Sequence, residues 1–486
     1  MSVLKQKFVS SSFWVIVGRG SSNLSTFVIF VLLARFLGPL EFGLVAFASL
    51  FIDVTRSLAL AGTPQALVQR KEWDDRVAST AFWSNMIFAF VFVLLMIFLV
   101  APLVSMLREP RIGPILSVLS VTFLVDAARA THEAKLQREF RYRLIAGQTV
   151  VGTVVGGIVG VTMAFMHFGA WALVASRITA SVVQTFIMWA TVKWMPRFTF
   201  SLDGERSLLA FGLHNSGAAL LGQLNARAPE FIIGTFIGPA GVGFYRVGTR
   251  AIGMLQDVVI TPMQATALSA FSRLGTRDSI GRAYLRLTKA CAVVSFPVYF
   301  GAAAIAPDFI TLCFGAKWTD SGMVMAMLGL AGGAATLAYF SQPTLNALGR
   351  SDLAMATSLV TLVSNFAVAL VSVHFGVVWV AFFVTFRSYL STPFGLYLVR
   401  TTTGISGRQF IEGLTAPFIS ATLMLVTTVG MKYALLQDLH PLLRMMVMIA
   451  GGTVVYVTSM LLIGRARLRE VRTELRPILL RFGINV

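Results

Sequence analysis

Apolar runs of roughly 20 residues follow one another along almost the whole chain, separated by short polar loops. That is the length an α-helix needs to cross a bilayer core. The runs lack the strict alternation of a barrel strand, so helices are predicted. About fourteen spans fit the pattern. Their centres fall near Asn23, Phe51, Val91, Phe123, Gly156, Val182, Leu221, Gln256, Tyr299, Ala335, Phe366, Phe386, Leu423 and Val454. The second, seventh and eighth are each broken by Gly, Pro or charge. The first run has no small-residue cleavage site after a clean apolar core, and reads as a retained helix. The expected fold class is an all-α polytopic membrane protein.

Composition agrees. Of the 486 residues, 56% are hydrophobic and 13% charged, where a soluble domain has about 45–50% and about 25%. The formal charge of +19 would suggest nucleic acid if it formed a surface stripe. Instead it sits in loops on alternate sides of the chain's path. One set contains Gln69 to Lys71, Lys135 to Arg143, Lys193 to Arg206, Arg273 to Lys289, Arg350, Arg400 to Arg408 and the tail from Arg465. By the positive-inside bias, about 26 basic residues on that side against about four on the other make it cytoplasmic. Both termini are then cytoplasmic, and no nucleic-acid partner is expected. Cys291 and Cys313 stand about 33 Å apart on one predicted helix, at ~1.5 Å per residue, beyond disulfide reach.

The chain also repeats itself. Phe36-Leu37-Gly38-Pro39 with Gly43 matches Phe236-Ile237-Gly238-Pro239 with Gly243; Ala101-Pro102 matches Ala306-Pro307; His167-Phe168-Gly169 matches His374-Phe375-Gly376. The offset drifts only from about 200 to about 207 residues, as an internal duplication would. Two parallel-topology six-helix bundles are expected, at 1–200 and 201–402. An extra helix pair at 403–464 and a basic cytoplasmic tail at 465–486 follow. In the tail, Leu468, Val471 and Leu475 interleave with Arg469, Arg472 and Arg476, which suits a helix lying on anionic membrane lipids.

Several stretches resemble a known family. Ala34-Arg35-Phe36-Leu37-Gly38-Pro39-Leu40-Glu41-Phe42-Gly43 is similar to the opening of the Wzx-type bacterial polysaccharide flippases, within the multidrug/oligosaccharidyl-lipid/polysaccharide exporter superfamily. Thr261-Pro262 through Ser269 to Leu274, and Pro297 through Phe314-Gly315-Ala316-Lys317-Trp318, resemble its eighth and ninth helices. The resemblance covers about residues 10–400, and its motifs name no substrate. It implies alternating access without an ATPase domain. It also implies cargo of undecaprenyl-pyrophosphate-linked oligosaccharide, carried from the cytoplasmic to the periplasmic leaflet of the bacterial inner membrane. Polysaccharide polymerase machinery is an implied partner. Most polysaccharide flippases have twelve helices; the extra pair matches the lipid II flippase of the same superfamily in number. A lipid II flippase and a multidrug or cation antiporter are the alternatives. The second would need a cavity dominated by acidic and aromatic residues. No Walker motif, metal-ligand cluster or catalytic triad is visible, and neither enzyme activity nor a cofactor is expected. The outer loops are too short for a ligase.

Charge inside the apolar runs supplies the candidate chemistry. A guanidinium near the bilayer centre costs at least ~2.5–3.5 kcal/mol, cannot give up its proton, and presents a planar fork to phosphate oxygens. Arg19, with Asn23 one turn on, and Arg56 fall in the first two helices. Arg227 falls in the unusually polar seventh helix. Arg246 and Arg250 share a face of the eighth with Asp257, and Arg177 and Arg387 hold equivalent depths in the sixth and twelfth. These eight residues form the expected anion site. Asp53, Asp257, Glu230 and His214 are the candidates for ion coupling. Asp53–Arg56, Asp126–Arg129 and Arg227–Glu230 are each spaced i,i+3 and could simply neutralise themselves. Arg35 and Arg444 are expected to snorkel to the outer interface. If the site is right, Arg19→Ala and Arg250→Ala abolish export at normal membrane abundance; normal export by both variants refutes it.

Overall fold

A computed structural model describes residues 20–59, 63–70, 72–106, 109–199, 220–261 and 276–464, with 263, 264, 267, 271, 273 and 274. Arg19, His214 and the basic tail lie outside the described residues. Within them the protein is helical throughout and has no strand. The helices are α1 (Gly20–Phe36), α2 (Pro39–Ala59), α3 (Thr63–Gln69), α4 (Asp75–Ser105), α5 (Ile112–Arg138), α6 (Tyr142–Phe165) and α7 (Ala170–Thr191). They continue with α8 (220–236), α9 (Pro239–Val259), α10 (Arg277–Phe314), α11 (Ala316–Ala347), α12 (Ser351–Phe375), α13 (Val377–Thr403), α14 (Gly407–Leu435) and α15 (Pro441–Ile463). Among the described residues ten are long and apolar enough to cross a membrane: α4 to α7 and α10 to α15. α1, α2, α8 and α9 are shorter or more heavily charged, and they hold most of the candidate site.

Polar groups at the ends set the boundaries. Asp74 caps α4 by accepting from the Arg76 amide at 2.8 Å, and Thr276 caps α10 by accepting from the Ser279 amide at 3.3 Å. Each removes one of the unpaired amides of a first turn. Glu41 closes the α1–α2 turn, its Oε2 accepting from the Gly38 amide at 2.9 Å.

The chain divides into two compact units, Met1–Gly243 and Phe244–Val486. In the first, α6 and α7 form a close pair. Gly152, Gly156 and Gly160 make a stripe along α6, and a Cβ on Gly156 would lie 2.4 Å from the Ser176 carbonyl oxygen. Small residues every fourth position let two membrane helices approach this far. The two matching Gly-Pro turns also meet in this unit. A Cβ on Gly43 would sit 1.7 Å from the Pro239 oxygen, and one on Gly243 would sit 2.2 Å from the Pro39 oxygen. The contact is reciprocal, so each glycine makes room for the other turn's proline carbonyl. α8 thereby belongs to the first compact unit, although the sequence pattern assigns it to the expected second bundle at 201–402.

In the second unit the helix pair α14–α15 is docked along α10 at three levels. Phe410 stacks on Tyr284, with ring centroids 6.2 Å apart. Tyr456 donates its hydroxyl to the Val293 carbonyl at 2.7 Å. At the end opposite the basic loops, Asp308, 4% exposed, takes Lys432 Nζ at 2.8 Å and Arg444 Nη2 at 2.5 Å. This corrects the expectation for Arg444. Its guanidinium does not snorkel to an interface but is held inside by a carboxylate on another helix.

Removing one partner of a buried charge set leaves the others uncompensated, at a cost of about 3–5 kcal/mol. Asp308→Asn is therefore expected to lower the melting midpoint of the detergent-purified protein by several degrees. Replacing Asp308, Lys432 and Arg444 together by apolar residues should restore most of it. Gly43→Val should lower the midpoint or prevent accumulation in the membrane, while Gly20→Val, at an open position, should not; equal behaviour of the two would show that the reciprocal contact is not formed.

Candidate functional site

Four helices of the first unit bring ionised side chains together inside the apolar layer. α2 contributes Ser49, Asp53 and Arg56 along one face. α5 contributes Asp126, Arg129 and Glu133. α7 contributes Arg177, Ser181 and Gln184 at i, i+4 and i+7, and α8 contributes Arg227 and Glu230. These spacings keep each set on one side of its helix.

The set has two centres. At the first, the Asp53 carboxylate is shared between two guanidinium groups: Oδ1 accepts from Arg177 Nη2 at 2.9 Å, and Oδ2 from Arg227 Nη2 at 3.0 Å. Arg177 Nη1 also donates to Ser49 Oγ at 2.8 Å. Arg227 Nη1 reaches Glu230 Oε2 at 3.3 Å, and the Glu230 side chain is only 3% exposed. At the second centre, Asp126 Oδ2 meets Arg56 Nη2 at 2.6 Å. Asp126 Oδ1 accepts from Ser181 Oγ at 2.8 Å and faces Arg129 Nη2 at 3.3 Å. Arg129 continues to Gln184 and to Glu133. Four guanidinium groups thus face four carboxylates, and the network is neutral as a whole. Beside the second centre lies a cavity of about 220 Å³ lined by Arg56, Pro64, Asp126, Arg129, Glu133 and Gln137, with Ala130. It lies toward the basic end of α5.

The structure brings Arg56, Arg177, Arg227, Asp53 and Glu230 of the predicted residues into one network. The i,i+3 pairs Asp126–Arg129 and Arg227–Glu230 form as their spacing suggests. Asp53 and Arg56 are partnered differently: each bonds to another helix. Asn23 is half-buried on α1, outside the network's named contacts. In the second unit Arg246 and Arg250 are half-buried on α9, while Asp257 is exposed. Arg387 is half-buried on α13 and donates to hydroxyl groups, Ser364 Oγ at 3.3 Å and Ser388 Oγ at 3.2 Å. Its Nε is buried without a hydrogen-bond partner. Arg177 is bonded to a carboxylate, whereas Arg387 is held by neutral oxygens. Sequence reasoning did not single out Ser181 and Gln184. The polar face they make with Arg177 on an otherwise apolar helix was the available signal.

These features define a class first: a multi-helix membrane protein whose apolar helices enclose a neutralised arginine–carboxylate network, with no soluble catalytic domain among the described residues. The family model for "Polysaccharide biosynthesis protein" matches residues 32–323; the chain belongs to that family. It is 25% identical over 472 residues to the succinoglycan biosynthesis transport protein ExoT of Rhizobium meliloti, covering 94% of this chain and 93% of the relative. It is 23% identical to the lipopolysaccharide biosynthesis protein WzxC of Escherichia coli, covering 89% and 88%. It is also 23% identical to the teichuronic acid biosynthesis protein TuaB of Bacillus subtilis, covering 85% of each. Its fold is similar to that of the lipid II flippase MurJ in an inward closed conformation, with TM-score 0.73 at 12% identity over 95% of this chain and 100% of that one. It also resembles an inward-facing multidrug resistance MATE family transporter, with TM-score 0.65 at 17% identity over 79% and 94%. The resemblance to polysaccharide flippases read from the sequence is thereby shown.

If Arg56 and Asp126 act as one unit, their effects are not additive. Arg56→Gln and Asp126→Asn, singly and combined, should give a coupling energy of about 0.5–3 kcal/mol in a double-mutant cycle of unfolding. Strict additivity would mean that the bridge does not contribute. Asp53→Asn should destabilise more than Ser49→Ala, because it leaves two guanidinium groups without their shared carboxylate.

Proposed function

We propose that this protein is an inner-membrane flippase. Its cargo is an undecaprenyl-pyrophosphate-linked oligosaccharide unit, moved from the cytoplasmic to the periplasmic leaflet by alternating access for exopolysaccharide, capsule or O-antigen assembly. In this reading the protein has fourteen spans, both termini are cytoplasmic, residues 1–200 and 201–402 are the two repeats, and a polymerase receives the product. The observation that carries the proposal is the arginine–carboxylate network beside a polar cavity near the basic end. The fold shared with a lipid II flippase supports it. So do relatives whose names place them in the making of three different glycans.

The chemistry follows from the pairing. A pyrophosphate arriving at the cavity meets Arg56, whose side chain is 36% exposed, already bonded to Asp126. The phosphate oxygens compete with the carboxylate for the same fork. One anion replaces another, so the site never holds an unpaired cation. Asp53 stands in the same relation to Arg177 and Arg227. Arg387 has no carboxylate among its named partners and needs no such exchange. It is the cation most ready to hold an anionic group, and Arg246 and Arg250 supply further positive charge in the same unit.

Deleting the gene should remove surface polymer and leave lipid-linked precursor on the cytoplasmic side. Intact polymer together with drug sensitivity would instead support the multidrug exporter. Losing one charge-assisted bond of about 1.5–3 kcal/mol predicts that Arg387→Gln slows export roughly 10–100-fold at normal membrane abundance. Arg387→Lys should recover only part of it, because the fork is lost. Normal export by Arg387→Gln excludes that residue from the site.

A further inference from the structure

α10 is 38 residues long. At ~1.5 Å per residue it measures about 57 Å, nearly twice a hydrocarbon core of about 30 Å. Its first turns therefore lie in the headgroup layer at the basic end of the molecule. There Arg282, Arg286 and Lys289 follow i, i+4, i+7 spacing and share one face. Opposite them, the start of α14 supplies Gln409 and Glu412. Together with Leu285 these residues line a pocket of about 310 Å³.

The pocket is cationic by composition, with three basic side chains and a single carboxylate on its walls. With the neighbouring charges counted the balance stays positive: Asp278 offsets Arg282, Arg408 offsets Glu412 at 2.6 Å, and Arg286 and Lys289 add two further cations. Its shape depends on a missing side chain. A Cβ on Gly413 would lie 2.1 Å from Lys289 Cε, so glycine there lets the lysine stem lie flat against α14. Buried Leu285 gives the pocket an apolar floor.

We propose that this pocket binds the phosphate headgroup of an anionic phospholipid of the adjoining leaflet. Basic pockets between membrane helices on the cytoplasmic side suit such headgroups. Arg286 and Lys289 take the phosphate oxygens, Arg282 widens the positive field, and Gln409 can donate to or accept from a glycerol hydroxyl. Both walls continue as apolar membrane helices, so the acyl chains remain in lipid. The occupied pocket joins α10 to the helix pair α14–α15 at the end opposite Asp308. It belongs to the second unit, whereas the Asp53 and Asp126 centres belong to the first, and it does not depend on the identity of the cargo.

The test uses the full-length protein in nanodiscs of phosphatidylcholine, with or without phosphatidylglycerol, read by melting midpoint and by native mass spectrometry of retained lipid. Phosphatidylglycerol should raise the midpoint and remain bound to the wild type. Arg286→Gln with Lys289→Gln should weaken that binding roughly 10–30-fold. Lys193→Gln with Arg143→Gln, which removes two charges elsewhere at the basic end, should not. Glu412→Gln removes the one carboxylate among the described lining residues and should strengthen binding, which keeps the test decisive if the double variant folds poorly. Equal phosphatidylglycerol binding by the wild type and all variants overturns the proposal. So does equal stabilisation by inorganic phosphate in pure phosphatidylcholine, which would make the pocket a soluble-anion site.

Discussion

Asp53 accepts hydrogen bonds from two guanidinium groups that belong to two other helices, and the arrangement of the first unit depends on that sharing. A single ion in hydrocarbon is expensive, and a pair breaks even only when its remaining donors and acceptors are met. Here Ser49, Ser181, Gln184 and Glu230 meet many of them. Four helices that each carry ionised side chains become one neutral block. The same neutrality that permits insertion limits chemistry: an anion can enter only by exchange with a carboxylate.

The second unit solves a similar problem differently. Its buried Asp308 faces two cations and anchors the helix pair α14–α15. Its Arg387 is held by hydroxyls alone. The arginines of the two units thus differ in their partners, carboxylates in the first and hydroxyls at Arg387 in the second.

Helix positions were legible in the chain because a 20-residue apolar run has few alternatives in a bilayer. Local ion pairs were legible as well: Asp126–Arg129 and Arg227–Glu230 formed as their spacing suggested. Asp53–Arg56 did not, because i,i+3 spacing shows only neighbours on the same helix, and the bonds chosen cross to α5, α7 and α8. Arg444 was misread for the same reason, since nothing near it in sequence points to Asp308. The glycine stripe of α6 was readable and went unread. A neutral pocket wall, such as the one Gly413 gives Lys289, leaves no trace in composition at all.

The sharing at Asp53 also bears on how the protein is made. Its two partners lie 124 and 174 residues further along the chain. At about 5–20 residues per second, Arg177 emerges about 6–25 s after Asp53, and Arg227 about 9–35 s after it. During that interval Asp53 has only Arg56 of its own helix near it, and an ionised carboxylate costs about 2.5–3.5 kcal/mol at a helix centre. α2 therefore gains little by entering lipid when it is synthesised, and final settlement waits for α7 and α8. Assembly of this bundle is a delayed event, timed by the ribosome's progress to α8, the helix that leads into the second Gly-Pro turn.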